Sequence, residues 1–96
     1  MNIGQAIRNI RKERNPKLNQ SEFAKLIGIT QTYLSQIETG EKIPSISVLE
    51  TISKKFKIPL PVIFWFGLSE DDISEHKIEY FRFLKPTVDA MINKFF

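Results

Sequence analysis

The sequence lacks features that define several large functional classes. Cysteine is absent from its 96 residues, which excludes disulfides and thiolate metal sites and is common in intracellular proteins. The longest unbroken apolar run, Val62 to Phe66, is far shorter than the ~20 residues of a membrane-spanning helix. Neither a signal peptide nor a membrane contact is predicted, and we expect a cytoplasmic protein.

Groups suited to catalysis or cofactor binding are equally sparse. The only histidine, His76, lies among acidic residues, and a lone histidine beside carboxylates is more typical of a solvated helix face than of a metal site. The four glycines are scattered along the chain, so a glycine-rich phosphate loop is excluded. We expect no enzymatic activity, no cofactor and no metal.

Positive charge is concentrated in the first part of the chain. Residues 1–66 contain ten Lys or Arg against five Glu, a net charge of +5, whereas residues 67–96 contain four against six acidic residues, a net charge of −2. The length allows one domain, or one small domain with an appendage. The asymmetry suits phosphate binding by the basic part, although small soluble domains often differ by a few charges between halves.

The stretch 19–41 is predicted to form two short helices joined by a tight turn. Asn19 can cap the first helix, and Gly28 can end it in the left-handed conformation. Thr30 can cap the second helix, and Gly40 can end it in the same way. The apolar side chains fall at helical spacing and predict a buried stripe, formed by Phe23, Ala24, Ile27, Leu34 and Ile37.

The outward side chains of the second helix are polar and uncharged. They are Gln31, Thr32, Tyr33, Ser35 and Gln36. Amide and hydroxyl groups suit hydrogen bonding to base edges in a DNA major groove. A purely structural surface helix more often carries Lys and Glu at these positions.

This stretch resembles the helix-turn-helix of the Cro/C1-type (XRE, phage-repressor-like) DNA-binding family. The resemblance rests on residues at the family's spacing, namely Gln20, Ala24, Gly28, Ile29, Thr30, Leu34, Ile37, Glu38, Gly40 and Pro44. It runs from about Ile3 to Phe64 and implies an all-α fold. We expect a five-helix lambda-repressor-like DNA-binding domain over residues 1–67 and a helical C-terminal extension over residues 68–96.

The resemblance also implies residue roles. Base contacts are expected from Gln31, Thr32 and Gln36. Contacts to the DNA backbone are expected from Gln20 and Ser21, because a helix N-terminus carries partial positive charge. They are also expected from Lys42, which lies just beyond the second helix, and from Tyr33, whose alternative is a thymine methyl. An ion pair is implied between Arg11 and Glu38. The alternative for Arg11 is a DNA contact, and the alternative for Lys42 is a solvated loop lysine.

Further helices are predicted around this pair. Asn2 to Arg14 has apolar residues at helical spacing and is stopped by Asn15 and Pro16. Ser45 can cap a helix over Ile46 to Phe56. A short helix with a proline in its first turn should then end at Phe66.

The last thirty residues are predicted to be ordered. Ser69 followed by three acids is a helix-start signal. Apolar faces lie on both sides of Pro86, and Lys85 before it should be pushed out of helical geometry, giving a break or a pronounced kink.

The aromatic and aliphatic residues near the C-terminus predict a homodimer. The expected contact residues are Phe64, Trp65, Phe66, Tyr80, Leu84, Val88, Met91 and Phe95, which exceed what a small domain can bury by itself. In the alternative arrangement the C-terminal tail folds back on its own domain and covers Trp65.

Together these patterns favour a sequence-specific transcriptional regulator, expected to be a repressor. It would bind double-stranded DNA as a homodimer at a pseudo-palindromic operator. The alternative is an antitoxin-like interaction module whose tail binds another protein. The two readings are not mutually exclusive.

Overall fold

The computed structural model describes residues 1–13 and 17–96, and in these ranges the chain is helical without a strand. The helices are α1 (Ile3–Glu13), α2 (Gln20–Ile27), α3 (Gln31–Glu38), α4 (Ile46–Phe56), α5 (Leu60–Phe66) and α6 (Ile78–Phe95), with short 3-10 turns at Glu70–Asp72 and Glu75–Lys77. The predicted all-α class is confirmed. Among the described residues, no helix combines the length and apolarity needed to cross a membrane.

Local signals set the ends of several helices. Ser45 caps α4, its hydroxyl accepting a hydrogen bond from the main-chain N–H of Val48 at 3.2 Å, and α4 has the predicted bounds. In α5 a proline occupies the first turn, also as predicted. The predicted stop of α1 at Asn15 and Pro16 lies outside the described residues.

The first five helices enclose one hydrophobic core. Its buried residues are Ile7, Ile10, Phe23, Ala24, Ile27, Leu34, Ile37, Leu49, Ile52, Ile58 and Ile63. The Phe23 and Phe56 rings stack at 5.1 Å and join α2 to α4. At Gly4 helix α1 runs so close to α3 that a Cβ would lie 2.1 Å from the Ile37 carbonyl oxygen. Only glycine allows this approach of the two backbones.

The C-terminal segment departs from two predictions. The helix-start signal at Ser69 opens only a 3-10 turn, because Ile73 takes an extended backbone with φ −110° and ψ 138°. Conversely, α6 runs through Pro86, and Lys85 keeps helical geometry, so that of the two predicted outcomes, a break or a kink, the break is absent. Phe81 before Pro86 and Asp89 after it both contact Trp65, so a break would cost one of these contacts.

Trp65 is the centre of that packing. Its indole N–H donates a hydrogen bond of 2.7 Å to Asp89, Phe81 packs against the ring at 6.1 Å, and the Lys85 ammonium lies 5.2 Å from its centroid. The tail thus covers Trp65 within one chain, which is the alternative arrangement.

The other residues expected at a dimer contact lie differently. Phe66 and Val88 are half-buried. The side chains that stay exposed are Phe64, Tyr80, Leu84, Met91 and Phe95. Those on α6 form a stripe at helical spacing, which we call the outer α6 stripe: Tyr80, Leu84, Met91 and Phe95.

Candidate nucleic-acid interface

Hydrogen bonds at three helix ends fix the geometry of α2 and α3. The Asn19 side chain accepts from the Glu22 N–H at 2.8 Å, while the Glu22 carboxylate accepts from the Asn19 N–H at 3.0 Å. Gly28 ends α2 in the left-handed conformation with φ 76°, and Thr30 caps α3 through a 3.1 Å bond from the Tyr33 N–H. The predicted helix, tight turn and helix are all present.

The end of α3 differs slightly from the prediction. Helix α3 ends at Glu38, and Thr39 keeps right-handed helical geometry. Gly40 then turns the chain with φ 83°. The Lys42 N–H folds back to donate to the Gln36 carbonyl at 3.1 Å, so that the loop stays close to α3.

The outward side of α3 borders a shallow open depression, which we call the α3 groove. Its lining residues are Gln20, Gln31, Thr32, Ser35, Gln36 and Glu41. Gln31 and Thr32 are exposed, and Gln36 is half-buried. The three residues expected to read bases therefore share one surface with the first residue of α2. Five of the six groups are uncharged hydrogen-bonding side chains.

Behind the α3 groove lies the ion pair that the resemblance implied. Arg11 donates from Nε and Nη2 to the two carboxylate oxygens of Glu38, both at 2.8 Å. The side chains are only 10% and 3% exposed, so Arg11 is turned away from any DNA on the surface. Hydrogen bonding to Glu38 raises the pKa of Arg11, which keeps the guanidinium charged. A third Arg11 bond, to the Leu18 carbonyl at 3.1 Å, holds the segment before α2.

Gln20 connects this ion pair to the groove. Its side-chain N–H donates to Glu38 at 3.2 Å. Because a carboxylate only accepts hydrogen bonds, Glu38 fixes which end of the Gln20 amide faces inward. One N–H and the carbonyl oxygen of that amide remain for other partners. The expected phosphate contact of the Gln20 side chain is thus limited to its second N–H.

The other residues expected at the DNA backbone do not line the groove, but each is next in sequence to a residue that does. Ser21 and Lys42 are exposed, whereas Tyr33 is half-buried and packs against the hydrophobic core. In the described ranges the main-chain N–H groups of Gln20 and Ser21 donate no hydrogen bond, as is usual for a first helical turn.

A family model described as a helix-turn-helix matches residues 7–63. The chain belongs to this helix-turn-helix family, of the Cro/C1 (XRE) type. The match covers α2, α3 and their connecting turn together with most of the core helices. It ends before the turns and helix of the C-terminal segment.

Three curated relatives are similar to this helix-turn-helix chain. The ImmF control region 10 kDa protein of Bacillus phage phi105 is 39% identical over 61 residues, 64% of this chain and 66% of that protein. The immunity repressor protein of the same phage is 36% identical over 80 residues, 83% of this chain and 52% of the relative. Antitoxin PezA of Streptococcus pneumoniae serotype 4 is 36% identical over 56 residues, 58% of this chain and 34% of the antitoxin.

The chain therefore spans less than two thirds of the length of each of these relatives. No solved structure matches it significantly.

Two features of the helix-turn-helix surface escaped sequence reasoning. The bond between Gln20 and Glu38 joins residues 18 positions apart, and no local pattern signals it. No role was predicted for Glu41, yet it lines the groove. Its position directly after Gly40 was the available signal, since a left-handed glycine turns the chain back along the helix that it follows.

Proposed function

We propose that this helix-turn-helix protein is a sequence-specific DNA-binding transcriptional regulator that acts in the cytoplasm. The observation that carries the proposal is the α3 groove, whose lining side chains are all hydrogen-bonding groups and, apart from Glu41, uncharged, and which is connected through Gln20 to a buried ion pair. Helix α3 would lie in the major groove of double-stranded DNA, which is wide enough to admit a helix. Membership of the helix-turn-helix family supports this assignment.

Base reading is assigned to Gln31, Thr32 and Gln36. A glutamine amide can pair bidentately with the N6 and N7 atoms of adenine, and such a pair contributes about 1–3 kcal/mol of discrimination against other bases. The Thr32 hydroxyl can donate a hydrogen bond to a base or accept one from it. Gln36 is half-buried, so its amide has fewer orientations to lose on binding.

Contacts to phosphates are assigned to groups around the groove. The N–H groups of Gln20 and Ser21, which donate to no group among the described residues, lie at the start of α2, where the helix dipole favours an anion. Lys42 and Tyr33 would add contacts from the other side. Such contacts hold the helix in register but carry no sequence information.

The test is selection of bound sequences from a random double-stranded DNA pool. The wild-type chain should enrich a defined motif, and its affinity for that motif should fall steeply as salt rises, because phosphate contacts release counterions. Failure to enrich any sequence at low salt would overturn the proposal.

Repression and dimerisation extend the same proposal. The similarity to the phage immunity repressor protein, which covers 83% of this chain, supports repression. Residues 1–67 would bind DNA, and residues 68–96 would join two copies through the outer α6 stripe and Phe64. A symmetric dimer would read a pseudo-palindromic operator whose half-sites lie about 34 Å apart.

A second candidate is an antitoxin-like role in which α6 binds a different protein. The similarity to antitoxin PezA and the exposed outer α6 stripe favour it. Co-expression with the product of the adjacent gene tests it. Ala90 is exposed on α6 but does not belong to the outer α6 stripe, so Ala90→Glu is the control. A complex that is lost on Leu84→Glu but kept on Ala90→Glu would support this role, whereas the absence of any complex would contradict it.

A further inference from the structure

Glu41 is the one charged side chain among the described residues that line the α3 groove. It is exposed, and it shares the groove with Gln31, Thr32 and Gln36. The turn at Gly40 and the bond from the Lys42 N–H to Gln36 hold the loop against α3. Glu41 therefore belongs to the same surface as the base-reading residues.

Among the described residues, no partner neutralises the Glu41 carboxylate. Within residues 1–13 and 17–96 its side chain makes neither a hydrogen bond nor an ion pair, and the neighbouring Lys42 does not pair with it. A carboxylate on a surface that meets DNA repels the phosphates. It therefore lowers affinity for every sequence unless it meets a hydrogen-bond donor on a base.

The hydrogen-bonding groups on the base edges determine which base can donate to the Glu41 carboxylate. In the major groove guanine presents two acceptors and thymine presents an acceptor and a methyl group, so both repel or exclude a carboxylate. Adenine presents a donor beside an acceptor, and the acceptor repels a carboxylate. Cytosine presents its N4 amino donor, the usual partner of Glu and Asp.

On this basis, and resting on the proposed function, we infer that Glu41 is a specificity-determining residue that selects a cytosine next to the bases read by Gln31, Thr32 and Gln36. Glu41 favours one base and disfavours others. It accepts a hydrogen bond from cytosine N4, and it lowers binding to sites that place guanine or thymine there.

The test compares motifs selected from a random DNA pool by four proteins: the wild type, Glu41→Gln, Glu41→Lys and Glu75→Gln. Glu75→Gln is the matched control, since it removes the same charge from an exposed residue outside the family match. The wild type should enrich cytosine at one position of each half-site. Glu41→Gln should reduce that preference by roughly fivefold or more and bind unrelated DNA more tightly.

Glu41→Lys should replace cytosine by guanine at the same position, because lysine donates to the O6 and N7 atoms of guanine. A change of preferred base distinguishes direct reading from a general effect of charge, which would alter affinity without altering the motif. Glu75→Gln should select the wild-type motif.

An unchanged motif with Glu41→Gln or Glu41→Lys would overturn the inference while leaving the proposed function intact. A wild-type chain that selects no motif would overturn both. Circular dichroism of each variant should match the wild type, since the substituted side chains are exposed.

Discussion

At the scale of single residues, Glu38 joins the hydrophobic core to the α3 groove. Its carboxylate accepts two bonds from Arg11 on α1 and one from Gln20 on α2. Three helices thus meet at one buried charge. No buried side-chain polar atom among the described residues lacks a partner, so the network is complete before any DNA arrives.

Replacement of Glu38 should strongly lower the free energy of unfolding. Glu38→Ala leaves the guanidinium of Arg11, which is only 10% exposed, without its counter-charge, and breaking one side of a buried pair costs about 3–5 kcal/mol. We expect urea denaturation to show a loss of that order. The control Glu50→Ala, at an exposed glutamate, should stay within about 0.5 kcal/mol of the wild type.

A loss below about 1 kcal/mol for Glu38→Ala, the range of exposed ion pairs, would contradict the buried network. So would a Glu38→Gln protein of unchanged melting temperature that no longer binds DNA, because it would make Glu38 a DNA contact.

Gly4 offers a second test at a single position. Its added methyl group in Gly4→Ala would meet the Ile37 backbone, which must then move, so we expect a loss of about 1–3 kcal/mol in the free energy of unfolding. Gln5→Ala on the exposed side of the same helix is the control. Stabilisation by Gly4→Ala, as helix propensity alone would give, would refute the close approach of α1 and α3.

At the scale of helices, local signals predicted the elements whose ends are set locally. Asn19, Thr30 and Ser45 cap the helices that follow them, and each was readable from the residue type and the next few positions. The C-terminal segment was not readable in this way. Its long helix is held by the contacts of Phe81 and Asp89 with Trp65. These residues are distant in sequence and come together only in the folded chain.

The candidate site was likewise predictable only where local spacing or the family resemblance determines it. The polar character of Gln31, Thr32 and Gln36 follows from helical spacing, and the Arg11–Glu38 pair followed from the family resemblance. The bond that turns Gln20 partly inward depends on the distance between α2 and α3, which composition and spacing do not give.

Pro86 provides a test of α6 as one continuous helix. Proline lacks the N–H that would bond to the carbonyl four residues earlier, and it costs roughly 3 kcal/mol inside a helix. Pro86→Ala should therefore raise the melting temperature. Thr87→Ala, which changes only the helix propensity at the next exposed position, should raise it much less. Equal effects, or a lower melting temperature for Pro86→Ala, would argue against a helix that runs through this residue.

At the scale of the whole molecule, the outer α6 stripe is an exposed apolar surface suited to binding a partner. Tyr80 and Phe95 are 75% and 77% exposed, and Leu84 and Met91 are more than half exposed. A second copy would pair the same stripe with itself, as a symmetric dimer requires. Because Asp89 and Phe81 of its own α6 contact Trp65, the proposed contact does not include that residue.

Sedimentation at micromolar concentration tests the dimer. The wild type and Ala90→Glu should sediment as dimers, whereas Leu84→Glu should be monomeric because it places a charge within the stripe. Removal of residues 69–96 should also give a monomer. A monomeric wild type, or a dimer that survives the truncation, would exclude the tail as the dimer contact.

The central claim is that α3 reads bases while the residues around it hold phosphates. The most direct measurement is the base preference and affinity of Gln31→Ala and Lys42→Ala on the selected DNA motif and its single-base variants. Gln31→Ala should lose about 1–3 kcal/mol of discrimination at one position, whereas Lys42→Ala should weaken all sequences alike and reduce the salt slope by about one. Equal loss of affinity for both variants, without a changed base preference for Gln31→Ala, would contradict the account.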